Sequence, residues 1–113
     1  MEVKLLGDKK VLLVKVKGEL DHHLAAKVKE EVDNKMRSSN AINIIFDFSE
    51  LTFMDSSGIG VIMGRYKKVR TLGGRVVASG VNAQILRILE MSAVDKIIKL
   101  TPNLEKALRF LDK

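Results

Sequence analysis

The chain has 113 residues, enough for one domain, and its 46% apolar and 30% charged residues are typical of a globular protein. It has no cysteine, which excludes a disulfide framework, a thiolate metal site and a cysteine nucleophile. A formal net charge of +6 raises the question of nucleic-acid binding. No apolar stretch reaches the roughly 18 residues of a membrane span, and none near the start resembles a signal peptide, so we predict a cytoplasmic protein.

The first half of the chain predicts two strands, a helix and a buried strand. A short strand over Val3–Leu5 is followed by a second one over Val11–Val16, which ends at Gly18. Asp21 then suits the N-cap of an amphipathic helix. The apolar positions of that helix recur every four residues, at Leu24, Val28, Val32 and Met36. The nearly continuous apolar run Ala41–Phe48 predicts a central strand that is shielded on both faces.

The second half predicts a loop over Ser49–Met54 and then a helix that starts at Asp55–Ser57 and ends at Gly73-Gly74. The remaining elements follow in order: strand Arg75–Ser79, helix Asn82–Glu90, strand Lys96–Leu100, and a helix with Pro102 at its first position after Thr101. Strands that alternate with helices indicate parallel pairing, with the short first strand antiparallel. We therefore predict one α/β domain over residues 1–113, built on a mixed sheet.

Nucleic-acid binding is disfavoured by how the charges are distributed. Lysines and acids are mixed along most segments, and the only basic cluster is Arg65, Lys67, Lys68 and Arg70. These residues lie in the C-terminal half of a predicted helix, where positive charge complements the helix dipole. There is no Trp, and five Phe or Tyr residues are few for a base-stacking surface.

Enzymatic chemistry finds little support in the sequence. His22 or His23 could serve as a base for Ser56, but the residues around that serine do not form the G-x-S-x-G elbow of hydrolases. No phosphate-binding loop motif occurs, and no His, Asp or Glu cluster has metal-ligand spacing. A response-regulator receiver would use Asp47 as its phosphate acceptor, but the acidic pair that should hold Mg²⁺ is split here into Glu19 and Asp21.

The segment Phe53–Gly60 is the most informative part of the chain. It presents serine hydroxyls at a predicted helix N-terminus, where free N–H groups and the helix dipole favour a phosphate. Gly58 would let another chain approach closely, and Met54 would offer a flexible apolar contact. From these residues alone, a simple N-cap and a phosphorylation switch both remain open.

Three segments together resemble the anti-anti-sigma factors, which are single STAS domains: Gly18–His23, Leu51–Gly60 and Val61–Lys67. The similarity is greatest to the sporulation branch, the antagonists of the anti-sigma-F factor. It implies a STAS-like α/β fold with a mixed sheet of four or five strands and about four helices, mainly on one side. It also implies a regulatory binding module that is not an enzyme and needs no cofactor, metal, membrane or direct nucleic-acid contact.

The resemblance implies partners and a switch as well. Such proteins bind an anti-sigma factor that is also a GHKL-type serine kinase with bound nucleotide, and a sigma factor is thereby freed. The kinase would phosphorylate Ser56, and a PP2C-type phosphatase would reverse the modification. The expected partner-binding residues are Gly18, Glu19, Leu20, Asp21, His22, His23, Met54, Asp55, Ser56, Ser57, Gly58 and Gly60.

Two loops that follow parallel strands should meet at one sheet edge, so we expect Glu19–His23 and Met54–Gly60 to form one surface. Two alternatives remain: a STAS module of another partner-switching or stress-signalling pathway, and an enzyme or phosphocarrier.

Overall fold

A computed structural model describes residues 1–7 and 10–112 of the chain. The five strands are β1 Glu2–Leu5, β2 Val11–Leu20, β3 Asn43–Met54, β4 Val76–Ser79 and β5 Lys99–Thr101. The four α-helices are α1 His22–Ser38, α2 Ser56–Thr71, α3 Ala83–Met91 and α4 Leu104–Leu111, and a short 3-10 helix covers Val94–Lys96.

The strands form one mixed sheet in the order β1-β2-β3-β4-β5, with β1 antiparallel to β2 and the other neighbours parallel. The central position of β3 confirms the prediction from its apolar run. Ile44 and Phe46 are buried in the core that α1, α2 and α3 cover, whereas Ile45 is buried on the opposite face against Ala107 of α4. Three helices therefore lie on one side of the sheet and one on the other.

The prediction of a loop over Ser49–Met54 is wrong, because β3 continues as a strand to Met54. Its partner β2 also extends beyond the predicted end, to Leu20. The two strands pair along this extension through register shifts beside Lys15–Lys17 and Gly18–Glu19. Gly18 takes a positive φ of 74° there, and its carbonyl accepts a 3.0 Å hydrogen bond from the Thr52 hydroxyl. Non-local pairing thus keeps a polar segment extended.

The predicted boundaries near the C-terminus need two corrections. Lys96 lies in the 3-10 helix, and the last strand begins only at Lys99, where pairing with β4 starts. The final helix is capped by Asn103, whose side chain accepts a 2.9 Å hydrogen bond from the backbone N–H of Lys106. Pro102 consequently lies before the helix, because an Asn side chain one residue later satisfies a free N–H of the first turn.

The basic cluster of α2 is not a uniform surface feature. Arg65 is only 4% exposed, and its Nε lies 3.1 Å from Oδ1 of Asp33, a buried residue of α1. Lys68 Nζ approaches the other oxygen of Asp33 to 3.0 Å. These two cations therefore tie α2 to α1, which corrects the interpretation of Arg65 as a charge that complements the helix dipole.

Candidate functional site

Two helices begin side by side at one edge of the sheet. A single residue separates β2 from α1 and β3 from α2, and in both places that residue is an aspartate, Asp21 or Asp55. The strands bring the two aspartates together, because Leu20 pairs with Met54 and the Asp55 N–H reaches the Leu20 carbonyl at 3.4 Å. The expected juxtaposition of the two loops is confirmed.

Both aspartates act as N-caps. Asp21 Oδ1 accepts a 3.0 Å hydrogen bond from the Leu24 N–H, as the sequence predicted. Asp55 Oδ1 accepts from the N–H groups of Ser57 and Gly58, at 2.8 and 3.4 Å. The caps fix where each helix begins and hold two positive helix ends next to each other.

Ser56 is the first residue of α2, and its side chain is exposed. Its neighbour Ser57 is half-buried and faces α1. Ser56 is therefore the more exposed of the two serines at the helix N-terminus. The hydroxyl lies where a phosphate would meet the favourable end of the helix dipole.

Three of the predicted contact residues turn inward instead. Met54 and Leu20 are 1% and 0% exposed, so neither offers the apolar surface that we expected of Met54. Gly58 is buried beneath them, and a Cβ there would lie 3.0 Å from Leu20 Cγ and from Met54 Cβ. The glycine therefore serves close internal packing of α2 on the sheet rather than the approach of another chain.

The residues that reach the surface at this edge include Phe53, which is not among the predicted contact residues. Glu19, Asp21, His22, His23, Ser56 and Gly60 are exposed, Gly18, Asp55 and Ser57 are half-buried, and Phe53 is 38% exposed. The two-residue alternation of a strand would have placed Phe53 outward and Met54 inward. The loop that the sequence predicts over Ser49–Met54 has no such alternation.

A groove of about 330 Å³ runs from this edge between α1 and α2. It is lined by His22, Ala25, Ala26, Lys29, Ser57, Gly60, Val61, Gly64 and Arg65. A Cβ on Gly60 or Gly64 would meet nothing within 4 Å, so these glycines leave the groove open rather than packing it. The groove extends the surface around Ser56 along both helices.

An ion pair lies across the same two strands. Glu50 Oε2 is 3.1 Å from Lys15 Nζ, and both side chains are partly exposed. The hydrogen bond and charge of Lys15 lower the pKa of Glu50, and the same contact with Glu50 raises the pKa of Lys15. The pair bridges β2 and β3, the two strands that lead to Asp21 and Asp55.

The position of Asp47 disfavours the receiver alternative. Asp47 does not end its strand, since β3 continues to Met54, so it does not stand at the strand end where a receiver would hold its acceptor. Within residues 1–7 and 10–112, no group of three or more His, Cys, Asp or Glu side chains could hold a metal ion. His22 and His23 are exposed on the first turn of α1.

The fold and this edge define a known class of domain. The STAS domain model matches residues 2–107. The chain is 36% identical over 112 residues to an anti-sigma F factor antagonist of Paenibacillus polymyxa, covering 99% of this chain and 96% of the relative. It belongs to the STAS domain family and, within it, to the anti-sigma factor antagonists.

A second relative supports the assignment, and a solved structure supports the fold. An anti-sigma-B factor antagonist of Listeria monocytogenes is 32% identical over 85 residues, which are 75% of this chain and 74% of that protein. The structure of the Bacillus cell fate determinant SpoIIAA in its phosphorylated form superposes with a TM-score of 0.77 at 22% identity, covering 97% of each chain.

Among the described residues, no helix has the length and apolar character to cross a membrane.

Proposed function

We propose that this protein is an anti-sigma factor antagonist controlled by phosphorylation of Ser56. In its unmodified form it binds an anti-sigma factor that is also a GHKL-type serine kinase with bound nucleotide, and a sigma factor is released in the cytoplasm. Phosphorylation of Ser56 ends binding, and a PP2C-type phosphatase restores it. The observation that carries the proposal is the exposed Ser56 hydroxyl at the N-terminus of α2, beside the start of α1.

A phosphate on Ser56 is compatible with the folded domain. It adds about −1.5 to −2 charge at pH 7. The helix N-terminus stabilises such a charge by about 0.3–1 kcal/mol, and the neighbouring carboxylate of Asp55 opposes it. The two effects largely cancel, so we expect the free energy of unfolding to change little.

The affinity for the kinase should respond more strongly to phosphorylation of Ser56 than the stability of the domain does. The hydroxyl of Ser56 must approach the γ-phosphate of the kinase's ATP closely to be a substrate. A phosphoserine would meet the negative charge of the nucleotide and occupy space that the partner needs. Like charges across an interface cost several kcal/mol, and each 1.4 kcal/mol is about tenfold in affinity. We therefore expect affinity to fall at least about a hundredfold.

The test incubates the protein with its kinase and ATP and maps the phosphate by mass spectrometry. Ser57→Ala should still be phosphorylated, because Ser56 is the exposed serine and Ser57 is half-buried. Ser56→Ala should bind the kinase and resist phosphorylation, and Ser56→Asp should bind poorly but better than the phosphorylated protein. Phosphate on Ser57 and not on Ser56 would refute the site, and turnover of ATP by this protein alone would favour an enzyme.

A second candidate is a STAS module of another pathway, such as stress signalling. It is favoured by the 32% identity to an anti-sigma-B factor antagonist. Purified anti-sigma F and anti-sigma B factors of the same organism, titrated in parallel, would separate the two. Tighter binding to the anti-sigma B factor would assign the stress pathway.

A further inference from the structure

The positive charge of this chain is concentrated in one segment. Residues 56–89 contain six basic residues and no acidic one: Arg65, Lys67, Lys68, Arg70, Arg75 and Arg87. The rest of the chain has 14 basic residues and 14 acidic ones, so the entire net charge of +6 belongs to the segment that begins at Ser56.

The exposed side of α2 connects this charge to the phosphorylation site. Ser56, Gly60, Met63, Lys67 and Arg70 follow one another at steps of four and three residues, which places them on one face of the helix. Four of them are exposed and Met63 is half-buried. We call these five residues the α2 ridge. Lys67 lies about 16 Å along the helix from Ser56 at about 1.5 Å per residue.

The two cations of the α2 ridge are not held by ion pairs within the described part of the fold. Arg65 and Lys68 point toward α1 and share Asp33. The ion pairs found among the described residues leave Lys67 and Arg70 without a carboxylate partner. Lys67 and Arg70 are therefore exposed and free of ion pairs with the described residues at the far end of the ridge from Ser56. A partner that covers the whole ridge could pair with them.

We infer that the α2 ridge is part of the surface that binds the anti-sigma factor, and that Lys67 and Arg70 meet acidic side chains of that partner. This inference rests on the proposed function and adds to it the charge of the partner's surface. The end of the ridge at Ser56 carries the switch, and the cationic end speeds association by attracting the acidic surface. Charges at the rim of an interface act mainly on the association rate and on its salt dependence.

The experiment measures association kinetics with the purified anti-sigma factor of the same organism, loaded with nucleotide, at several salt concentrations. The test variant is the double substitution Lys67→Glu and Arg70→Glu. The control is Lys4→Glu with Lys106→Glu, which changes the net charge equally. Lys4 of β1 pairs with Leu13 of β2, and Leu13 packs on the face of the sheet that α4 covers. Lys106 is on α4 itself, so both control residues lie on the face opposite to α2. Thermal unfolding of each variant verifies that it is folded.

We expect the ridge variant to associate at least about tenfold more slowly at 50 mM salt, with the difference shrinking toward 1 M, where the Debye length is about 3 Å. The control should stay within about twofold of the wild type. Lys67→Gln with Arg70→Gln should give an intermediate rate.

Four results would overturn the inference. An equal slowing in the ridge and control variants would show an effect of net charge alone. If the wild type binds normally and the ridge variant has unchanged kinetics, the α2 ridge is not part of the binding surface and the proposed function stays intact. If the wild type binds the anti-sigma factor at no salt concentration, both the inference and the proposed function are refuted. A ridge variant that loses binding to a 20-nucleotide single-stranded DNA but not to the anti-sigma factor would assign the ridge to nucleic acid.

Discussion

Substitution of Gly58 by alanine tests the packing that positions Ser56, the proposed phosphorylation site. A Cβ at this position would lie 3.0 Å from Leu20 Cγ, 3.1 Å from Leu20 Cδ2 and 3.0 Å from Met54 Cβ. Met54 Cβ is attached directly to the backbone of β3, so it cannot turn away. Relief requires the N-terminus of α2 to move outward by a few tenths of an ångström, carrying Ser56 with it.

The magnitude follows from two opposing effects. Overpacking of this kind costs about 1–3 kcal/mol, and replacement of glycine by alanine in a helix contributes up to about 1 kcal/mol of stability. We expect Gly58→Ala to lower the free energy of unfolding by about 1 kcal/mol. Gly60→Ala is the matched control, because a Cβ on Gly60 meets nothing within 4 Å and should add about 0.5–1 kcal/mol.

Urea unfolding followed by circular dichroism measures both variants. With a denaturant dependence of about 2 kcal/mol per molar urea, the urea midpoints of the two variants should differ by about 1 M. The phosphorylation rate of Ser56 should also fall in Gly58→Ala, whereas Gly60→Ala serves as a control for stability alone. If Gly58→Ala were as stable as Gly60→Ala, the close contact of α2 with Leu20 and Met54 would be refuted.

Three other substitutions give sharp expectations for thermal unfolding. Asp21→Ala should lower the free energy of unfolding by about 0.5–2 kcal/mol through the lost cap. If partner affinity falls by more than the unfolded fraction of the variant explains, Asp21 is a contact residue; unchanged affinity would remove it from the binding surface. Asp33→Ala should cost about 3–5 kcal/mol, because it leaves the buried Arg65 without its partner. Asp33→Leu combined with Arg65→Met should recover most of that loss, and a double variant no more stable than the single one would contradict this account. Gly74→Ala should cost at least about 3 kcal/mol, since a Cβ there would lie 1.6 Å from the carbonyl oxygen of Ile42; a melting temperature near that of the wild type would contradict the contact.

The sequence by itself determined the order of strands and helices, the buried central strand and the residues that begin the first two helices. These features depend on local chemistry: apolar periodicity, the run Ile42–Phe48, and aspartates that suit N-caps. The resemblance carried by Gly18–His23 and Leu51–Gly60 supplied the family, which the STAS match over residues 2–107 confirms. The roles of Ser56 and its partners stay predictions that the experiments above address.

Only the tertiary structure decided which residues of the site face outward. The extension of β3 to Met54 depends on pairing with β2, a non-local contact that the polar segment Ser49–Thr52 does not reveal. That pairing turns Phe53 outward and Met54 inward, and it buries Gly58 against Leu20. The packing of α1 on α2 also decides which cations of α2 are paired. Arg65 and Lys68 contact Asp33, whereas Lys67 and Arg70 lie on the α2 ridge. Local patterns state which residues can form an element, but burial and pairing are set by residues distant in the chain.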